Sequence, residues 1–493
     1  MNPLDKHSIS AQIAALSPKE KTLFLNKLRK ISEDKHQELP VQAGKYKAPL
    51  PLSLSQHRLW LLEKYRRQSP FLNAYRTWRL TGDLDIEALR QALHNLVKRH
   101  QVLRTRFLIN NKEPFQNFDS DIGCPLTSID MTHLPASERE NEAQTLVTAE
   151  VKQPFILEQG PVFRVLLLRL TEQDYIFLVN LDHLVVDGWS MGILHRELGL
   201  LYKAATKGKP SPLTPLAVQY SDFCLWQRRQ LKSAVMQTSL RYWAQLLTAA
   251  PVLRLPTDRP RPRQSTHAGA RVIFDLPATL TQQLKLVSQK YSVTLFMTLL
   301  AMFKVLVRSQ SGQNDLLVGT PVAGHRHREL ESMVGLMVNH LPIRTDLSGN
   351  PAFSDVLICV REATLGAFSH DVPFACIVNA LDITPEPGCH PLFQVFFTLQ
   401  NSPNQDLTLP GLNVEPDLSG SVSPFRDGND TAKFDIALSI VETHGSLRGV
   451  MEYSTDLFER STINAMTDSY MLGLRRMVEN PGQPVSDLVK PAR

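Results

Sequence analysis

The sequence is poor in cysteine, and its few apolar runs are short. Its 493 residues include five cysteines, which are scattered and never form a C-x-x-C spacing. This usage argues against a disulfide framework or a structural zinc site, and it predicts a reducing, cytoplasmic location. The most apolar run, residues 293–303, ends at Lys304. It is too short to cross a bilayer, so it predicts a buried helix and no membrane association.

Strong charge and the common nucleotide-binding motifs are also missing. The formal net charge is +6 over the whole chain, and no block of Lys and Arg is interleaved with aromatic residues. Nucleic-acid binding is therefore not expected. The sequence contains no G-x-G-x-x-G, no G-x-x-x-x-G-K-[ST] and no G-x-S-x-G. These absences argue against nucleotide hydrolysis and α/β-hydrolase chemistry.

The length predicts two domains, because one hydrophobic core seldom serves so long a chain. Residues 1–45 form a predicted N-terminal helix and linker. A proline-rich stretch at 250–269 marks the boundary between two predicted lobes, 46–250 and 251–493. Both lobes mix helical and strand patterns, which indicates a duplicated α+β architecture. The segment 401–431 is predicted to be a long loop.

One short stretch, DHLVVDGWS at residues 182–190, follows a predicted hairpin of two buried strands, 163–170 and 175–181. His183 could accept a proton from a nucleophile, since the pKa of an unperturbed imidazole lies near 6.5. The alternative is a strand-end histidine beside a plain Asp-Gly turn, and spacing alone does not exclude it. Ser190 is the predicted N-cap of the next helix. No metal site is expected, because no second group of His, Cys or carboxylates has ligand spacing.

Six other stretches occur in order with this motif, and together they cover residues from about 48 to 488. The series resembles the condensation domains of nonribosomal peptide synthetases, which carry the motif HHxxxDG. The stretches are LSLSQHRLWLLEKY (52–65), KRHQVLRTRF (98–107), YSDFCLWQ (220–227), GTPVAGHRHRELESMVGLMVNHLPIR (319–344), HDVPF (370–374) and YSTDLFE (453–459).

The resemblance implies an α/β (α+β) fold of two chloramphenicol-acetyltransferase-like lobes, arranged as a V-shaped pseudo-dimer with a tunnel between them. It also implies an acyltransferase that joins an acyl or peptidyl thioester on one carrier protein to an aminoacyl group on another. Both substrates would arrive on 4′-phosphopantetheine arms, with no permanently bound cofactor. The implied partners are donor and acceptor carrier proteins and adjacent synthetase or polyketide synthase modules.

The family motif assigns roles to individual residues. The second motif histidine corresponds to His183, as general base or as a group that positions the amine. Asp187 corresponds to a structural aspartate, and Gly188 would lie beside the path of the acceptor. An arginine is expected to pair with Asp187, and the possible partners are Arg326, Arg344 and Arg104. Four further residues are expected to line the substrate site: Asp182, Trp189, Ser190 and Asn339.

Asp182 departs from the family motif, because it replaces the first histidine. It creates a second pattern, DxxxxDxxS, which Asp182, Asp187 and Ser190 satisfy and which is typical of heterocyclization domains that form thiazoline or oxazoline rings. The retained His183 and the flanking motifs favour condensation. A third alternative is a catalytically silent domain that only docks carrier proteins. The sequence does not identify the donor or the acceptor, nor whether the domain is free-standing or part of a larger synthetase.

Overall fold

The computed structural model describes residues 40–44, 46, 49–66, 70–119, 123–325, 327–381, 383, 386, 388–400, 407–416, 431–443 and 445–489. The predicted N-terminal helix lies outside this part of the chain.

The strands of the described residues are β1 (Leu50–Pro51), β2 (Asn73–Gly82), β3 (Thr105–Asn110), β4 (Glu113–Phe118), β5 (Leu126–Asp130), β6 (Phe163–Thr171), β7 (Asp174–Asp182), β8 (Gly269–Leu276), β9 (Asp315–Val322), β10 (Asn339–Asp346), β11 (Val395–Gln400), β12 (Leu412–Pro416), β13 (Ile436–Thr443) and β14 (Ser446–Ser454). The α-helices are α1 (Leu54–Arg66), α2 (Ile86–Arg99), α3 (Ala136–Lys152), α4 (Gly188–Ala205), α5 (Tyr220–Gln230), α6 (Ala234–Leu247), α7 (Ala278–Lys290), α8 (Leu295–Ser311), α9 (Phe353–Ser369), α10 (Phe374–Ala380), α11 (Arg460–Glu479) and α12 (Val485–Leu488).

The first half of the chain is built on a five-stranded sheet of order β12-β2-β7-β6-β5. Alternate residues of β6 point to opposite faces: Val165 and Leu167 enter one core, while Leu166 and Leu168 enter another under α3. Both faces are therefore covered, which explains why the sequence of this hairpin is almost continuously apolar. The predicted hairpin of β6 and β7 is present in the structure, and the motif follows the central strand β7 directly.

The second half has a six-stranded mixed sheet of order β10-β9-β11-β13-β14-β8. Its core includes α8, whose residues from Leu299 to Phe303 are fully buried. The apolar run at 293–303 thus lies in a core helix, as the sequence predicts. Among the described residues, no single helix is long and apolar enough to span a membrane. The consecutive helices α7 and α8, bent by 101° at their break, meet that criterion only when taken together.

The division between the halves differs from the predicted boundary at residue 250. Helix α6 places Trp243 and Leu247 in the core of the second half, so the two cores separate before this helix. Conversely, Met333 and Met337 from the second half pack into the core of the first. The halves therefore exchange segments, which a boundary drawn from composition does not reveal.

A second exchanged segment lies inside the predicted loop 401–431. Residues of β12 form a strand that pairs antiparallel with β2, with Val414 opposite Leu80. Leu407 and Leu409 are buried in the core of the first half. The loop prediction is wrong for this portion, because a five-residue strand at a sheet edge has too short an apolar pattern to be recognised alone.

Candidate functional site

The motif lies in a tight connection between β7 and α4. Asn73 of β2 pairs with Asp182 at the last position of β7. The next apolar residues, Leu184 to Val186, have no exposed surface. Asp187 then caps α4, since its Oδ1 accepts from the Ser190 amide at 2.9 Å. The predicted N-cap at Ser190 is therefore wrong by three residues.

His183 is the half-buried member of this connection. Its amide donates to the Leu72 carbonyl at 2.8 Å, which ties the backbone to the residue just before β2. Its ring Nδ1 lies 2.7 Å from the Val186 carbonyl oxygen. Because a carbonyl oxygen can only accept, this contact places the proton of the neutral ring on Nδ1 and leaves Nε2 as the basic nitrogen. The loop therefore fixes both the orientation and the tautomer of the imidazole.

Asp187 joins the two halves through backbone groups. Its Oδ2 accepts from the amides of Met337, at 2.9 Å, and Val338, at 3.0 Å. With the Ser190 amide, this carboxylate accepts three hydrogen bonds. Hydrogen bonds from amides to a carboxylate are stronger than those between neutral groups, so these three contacts fix the side chain between the two halves.

Two of the three arginines expected to pair with Asp187 bind other groups in the structure. Arg344 binds Asp315, with 2.6 Å between Nη2 and Oδ2. Arg104 donates to the Asp119 carbonyl at 2.6 Å. Arg326 lies outside the described residues. The amides at the end of the 331–338 segment bind Asp187 instead, and sequence spacing alone could not identify them.

Trp189 and Ser190 bind the same segment. The Ser190 hydroxyl donates to the Gly335 carbonyl at 2.8 Å and accepts from the Gly335 amide at 3.1 Å. The Trp189 indole donates to the Glu331 carbonyl at 3.3 Å. Ser190 has no exposed surface. Its placement does not fit the substrate-binding role expected from sequence, and the contacts of both residues position the segment.

Asn339 is likewise occupied by the protein. Its amide nitrogen lies 2.6 Å from both Asp371 Oδ1 and the Val372 carbonyl. Its amide oxygen accepts from the Phe374 amide at 2.9 Å. The side chain thus fixes the start of α10, and the expected role in substrate binding does not fit this arrangement either.

Asp182 was expected to line the substrate site. Its side chain is only 2% exposed, and this burial does not fit that role. One oxygen accepts from the Leu184 amide at 2.8 Å. Burial raises the pKa of Asp182 to about 7, with Glu63 contributing and Arg164 opposing. The carboxylate that replaces the first motif histidine is therefore a buried group at the end of β7.

We predict that Asp182→Asn stabilises the protein at pH 8. The raised pKa means that the folded protein keeps a proton that the unfolded chain releases between about pH 4 and pH 7, so the free energy of unfolding falls over this window. Asparagine retains an acceptor for the Leu184 amide and does not titrate. Urea unfolding at pH 5 and pH 8 should show a gain in the free energy of unfolding that is larger at pH 8 by roughly 2–3 kcal/mol. The exposed Asp83→Asn is the control, and an equal gain at both pH values would contradict the assignment.

Sequence reasoning missed the contact between Tyr220 and the 331–338 segment. The Tyr220 hydroxyl donates to the Leu336 carbonyl at 2.7 Å and lies 2.9 Å from the Ser53 hydroxyl. A Cβ at Gly335 would lie 1.9 Å from the Tyr220 ring. The stretches that contain these residues stand out in the sequence only as family signatures, and their pairing becomes visible only in the fold.

Gly335→Ala is expected to destabilise the protein by about 1–3 kcal/mol, because the methyl group would overlap a fully buried ring. Gly188→Ala is the matched control, since nothing lies within 4 Å of its added Cβ. Thermal melts of the two variants test this prediction. Equal stability of both would mean that Tyr220 moves aside without cost.

No group of three or more His, Cys, Asp or Glu residues capable of holding a metal ion occurs among the residues that the structure describes. The five cysteines are free thiols.

Comparison with known sequences gives one consistent family. Residues 47–492 match the Condensation domain family. The chain is 40% identical over 483 residues to a linear gramicidin synthase of Brevibacillus parabrevis, a match that covers 97% of this chain and 6% of that protein. It is 36% identical to phosphinothricin tripeptide synthetase PhsC of Streptomyces viridochromogenes, over 97% of this chain and 44% of that protein. The chain thus spans less than half the length of these relatives.

Solved structures agree with the sequence matches. The X-domain from teicoplanin biosynthesis has a TM-score of 0.80 and 26% identity, and the match covers 91% of this chain and 99% of that one. The first condensation domain of the CDA synthetase has a TM-score of 0.73 and 19% identity, over 90% and 98% of the two chains. The expected fold class is therefore confirmed. The chain belongs to the condensation domain family of nonribosomal peptide synthetases, a family of acyltransferases that form peptide bonds.

Proposed function

We propose that this chain forms an amide bond between an acyl or peptidyl thioester on a donor carrier protein and an aminoacyl group on an acceptor carrier protein. The observation that carries this proposal is the placement of His183. Its ring is oriented by the Val186 carbonyl and is half-buried, and it lies close enough to His340 of the second half to help lower the pKa of that residue. Both substrates would be delivered on phosphopantetheine arms by carriers in the same or adjacent synthetase modules.

The chemistry needs one basic nitrogen and good positioning. The amine nitrogen of the acceptor attacks the thioester carbonyl carbon, and the carbonyl oxygen takes up the electron pair. The excess proton of the amine passes to His183 Nε2. Collapse of the intermediate expels the thiolate, which receives that proton, so the ring returns to its starting state. Because a thioester is already activated, holding the amine against it supplies much of the rate.

The environment of the motif supports condensation over heterocyclization. The three residues of the DxxxxDxxS pattern are Asp182, Asp187 and Ser190, and each is at most 5% exposed. Backbone amides or carbonyls bind all three. By contrast, nothing lies within 4 Å of the position a Cβ would occupy at the exposed Gly188. This open space is consistent with the expected path of the acceptor beside Gly188.

A reconstituted reaction tests the proposal. Donor-loaded and acceptor-loaded carriers, including cysteine and serine acceptors, are mixed with the protein, and the acceptor carrier is then weighed by mass spectrometry. We expect the sum of the two acyl groups without further loss of water. A product lighter by one water would indicate cyclodehydration. Carrier binding without any product would indicate a docking domain.

A further inference from the structure

The sheet of the second half has one face that is partly open at β11 and β13. Alternate residues of a strand point to opposite faces of its sheet. Phe397 of β11 and Leu438 of β13 have no exposed surface and lie in the core that contains α8. Their neighbours Thr398 and Ser439 therefore point to the opposite face, and both are half-buried there.

This open face continues to the motif through aromatic rings. Phe396 shares the open face of β11, and its ring centre lies 5.0 Å from that of His340. His340 follows two residues after Val338, whose amide binds Asp187 at 3.0 Å. His183 is close enough to His340 to help lower the pKa of that residue. The open face thus starts beside the motif and extends along β11 and β13.

Two hydroxyl groups lie side by side on this face. Thr398 is opposite Ser439 on the parallel strands β11 and β13, and neighbouring strands are about 4.8 Å apart. Neither hydroxyl forms a hydrogen bond with a residue that the structure describes, and both have accessible surface. The other residues of this face on the two strands are uncharged: Phe396, Gln400, Ala437, Val441 and Thr443. Charged residues of the adjoining strands bind one another, Arg271 with Glu452 and Arg448 with Asp275.

We propose that Thr398 and Ser439 bind a side-chain carboxamide of one of the two substrates, so that the enzyme prefers asparagine-like or glutamine-like groups to apolar groups of the same shape. This inference rests on the proposed function, because it assumes that substrates enter the space beside His183. Both residues lie outside the seven stretches that carry the resemblance to the family, as expected of residues that set a preference and not the shared chemistry.

The chemistry of the two hydroxyls gives the direction of this preference. A hydroxyl both donates and accepts, so one of the pair can donate to the carboxamide oxygen while the other accepts from the carboxamide N–H. An apolar group of the same shape would exclude water and leave both hydroxyls without a partner. Sites that hydrogen-bond their substrate reject such analogues strongly for this reason.

Binding of matched thioesters tests this proposal independently of turnover. N-acetylcysteamine thioesters of asparagine and glutamine are compared with those of leucine and homoleucine, in which a branched alkyl group of the same shape replaces the carboxamide. The free amines form the acceptor arm, and the N-acetylated compounds, which cannot attack a thioester, form the donor arm. Isothermal titration of the full chain should show, in one arm, at least about 10-fold tighter binding of a carboxamide than of its apolar isostere.

The double variant Thr398→Val/Ser439→Ala removes both hydroxyls and little volume. It should abolish the preference and leave binding of the apolar isostere within about two-fold. Thr443→Val, at the exposed end of β13 on the same face, is the control and should leave the preference intact. If the double variant fails to fold, Ser439→Ala alone should weaken the preference, and Thr398→Ser, which keeps the hydroxyl, should retain it.

Equal binding of carboxamide and isostere in both arms, or no binding of either, would overturn the inference. A preference that survives in the double variant would also overturn it, as would an equal loss of affinity for both compounds, since the face would then act by shape alone. Condensation without any preference would refute this inference and leave the proposed function standing. A preference for carboxamides in a protein that condenses nothing would refute the proposed function and leave the site standing.

Discussion

His183→Ala is expected to lower the single-turnover rate of condensation by about 10²- to 10⁴-fold. The variant loses the basic nitrogen that accepts the proton of the amine, and it loses the ring that positions that amine. Substitution should cost less stability than the loss of a fully buried side chain, because the ring is half-buried. Rapid quench with loaded carriers measures the rate, and thermal melting checks the fold.

A second substitution at the same position distinguishes the two possible origins of this loss of rate. His183→Gln keeps a polar side chain without a basic nitrogen, so a rate as low as that of His183→Ala would indicate proton transfer. A rate near that of the wild type would indicate that positioning is sufficient. The exposed His94→Ala is the control for loss of a histidine elsewhere. A folded His183→Ala protein with undiminished rate would remove His183 from the mechanism.

Asp187→Ala is expected to destabilise the protein by about 2–4 kcal/mol, because three backbone amides lose their acceptor and two of them are in the other half. Asp85→Ala is a matched control. Asp85 caps α2 through the Ala88 amide at 2.9 Å, without the bonds across the halves. Its loss should cost only about 1 kcal/mol. The difference between the two variants in urea unfolding measures the contribution of the Met337 and Val338 amides.

Turnover of Asp187→Ala should fall as well, since the same side chain holds the loop that presents His183. The structural role predicts that loss of rate accompanies loss of stability. A variant as stable as the wild type but inactive would contradict it, and would indicate that Asp187 takes part in the chemistry directly.

Local pattern explains which parts of the fold could be predicted. The hairpin of β6 and β7 follows from apolar periodicity, and both strands end within one residue of their predicted bounds. The exchange of β12 into the first sheet could not be predicted in this way. Its partner strand β2 lies more than 300 residues earlier, and no local pattern encodes a pairing at that distance.

The same limit applies to the site. The sequence identifies the residues of the motif, whereas it does not identify the partners of Asp187. A buried carboxylate needs compensation, and an arginine was the natural expectation. Backbone amides of residues 337 and 338 bind the carboxylate, and nearly every residue type carries such a group. The burial of Asp182 likewise depends on packing between segments that are distant in sequence.

The most direct test of the account compares the mass of the acceptor carrier after reaction with wild type, His183→Ala and Asp182→Asn. We predict the condensed product, without loss of water, for the wild type and for Asp182→Asn, and almost none for His183→Ala within the same time. Product from a folded His183→Ala protein at the wild-type rate, or its absence from a folded Asp182→Asn protein, would contradict the assignment of the chemistry to His183.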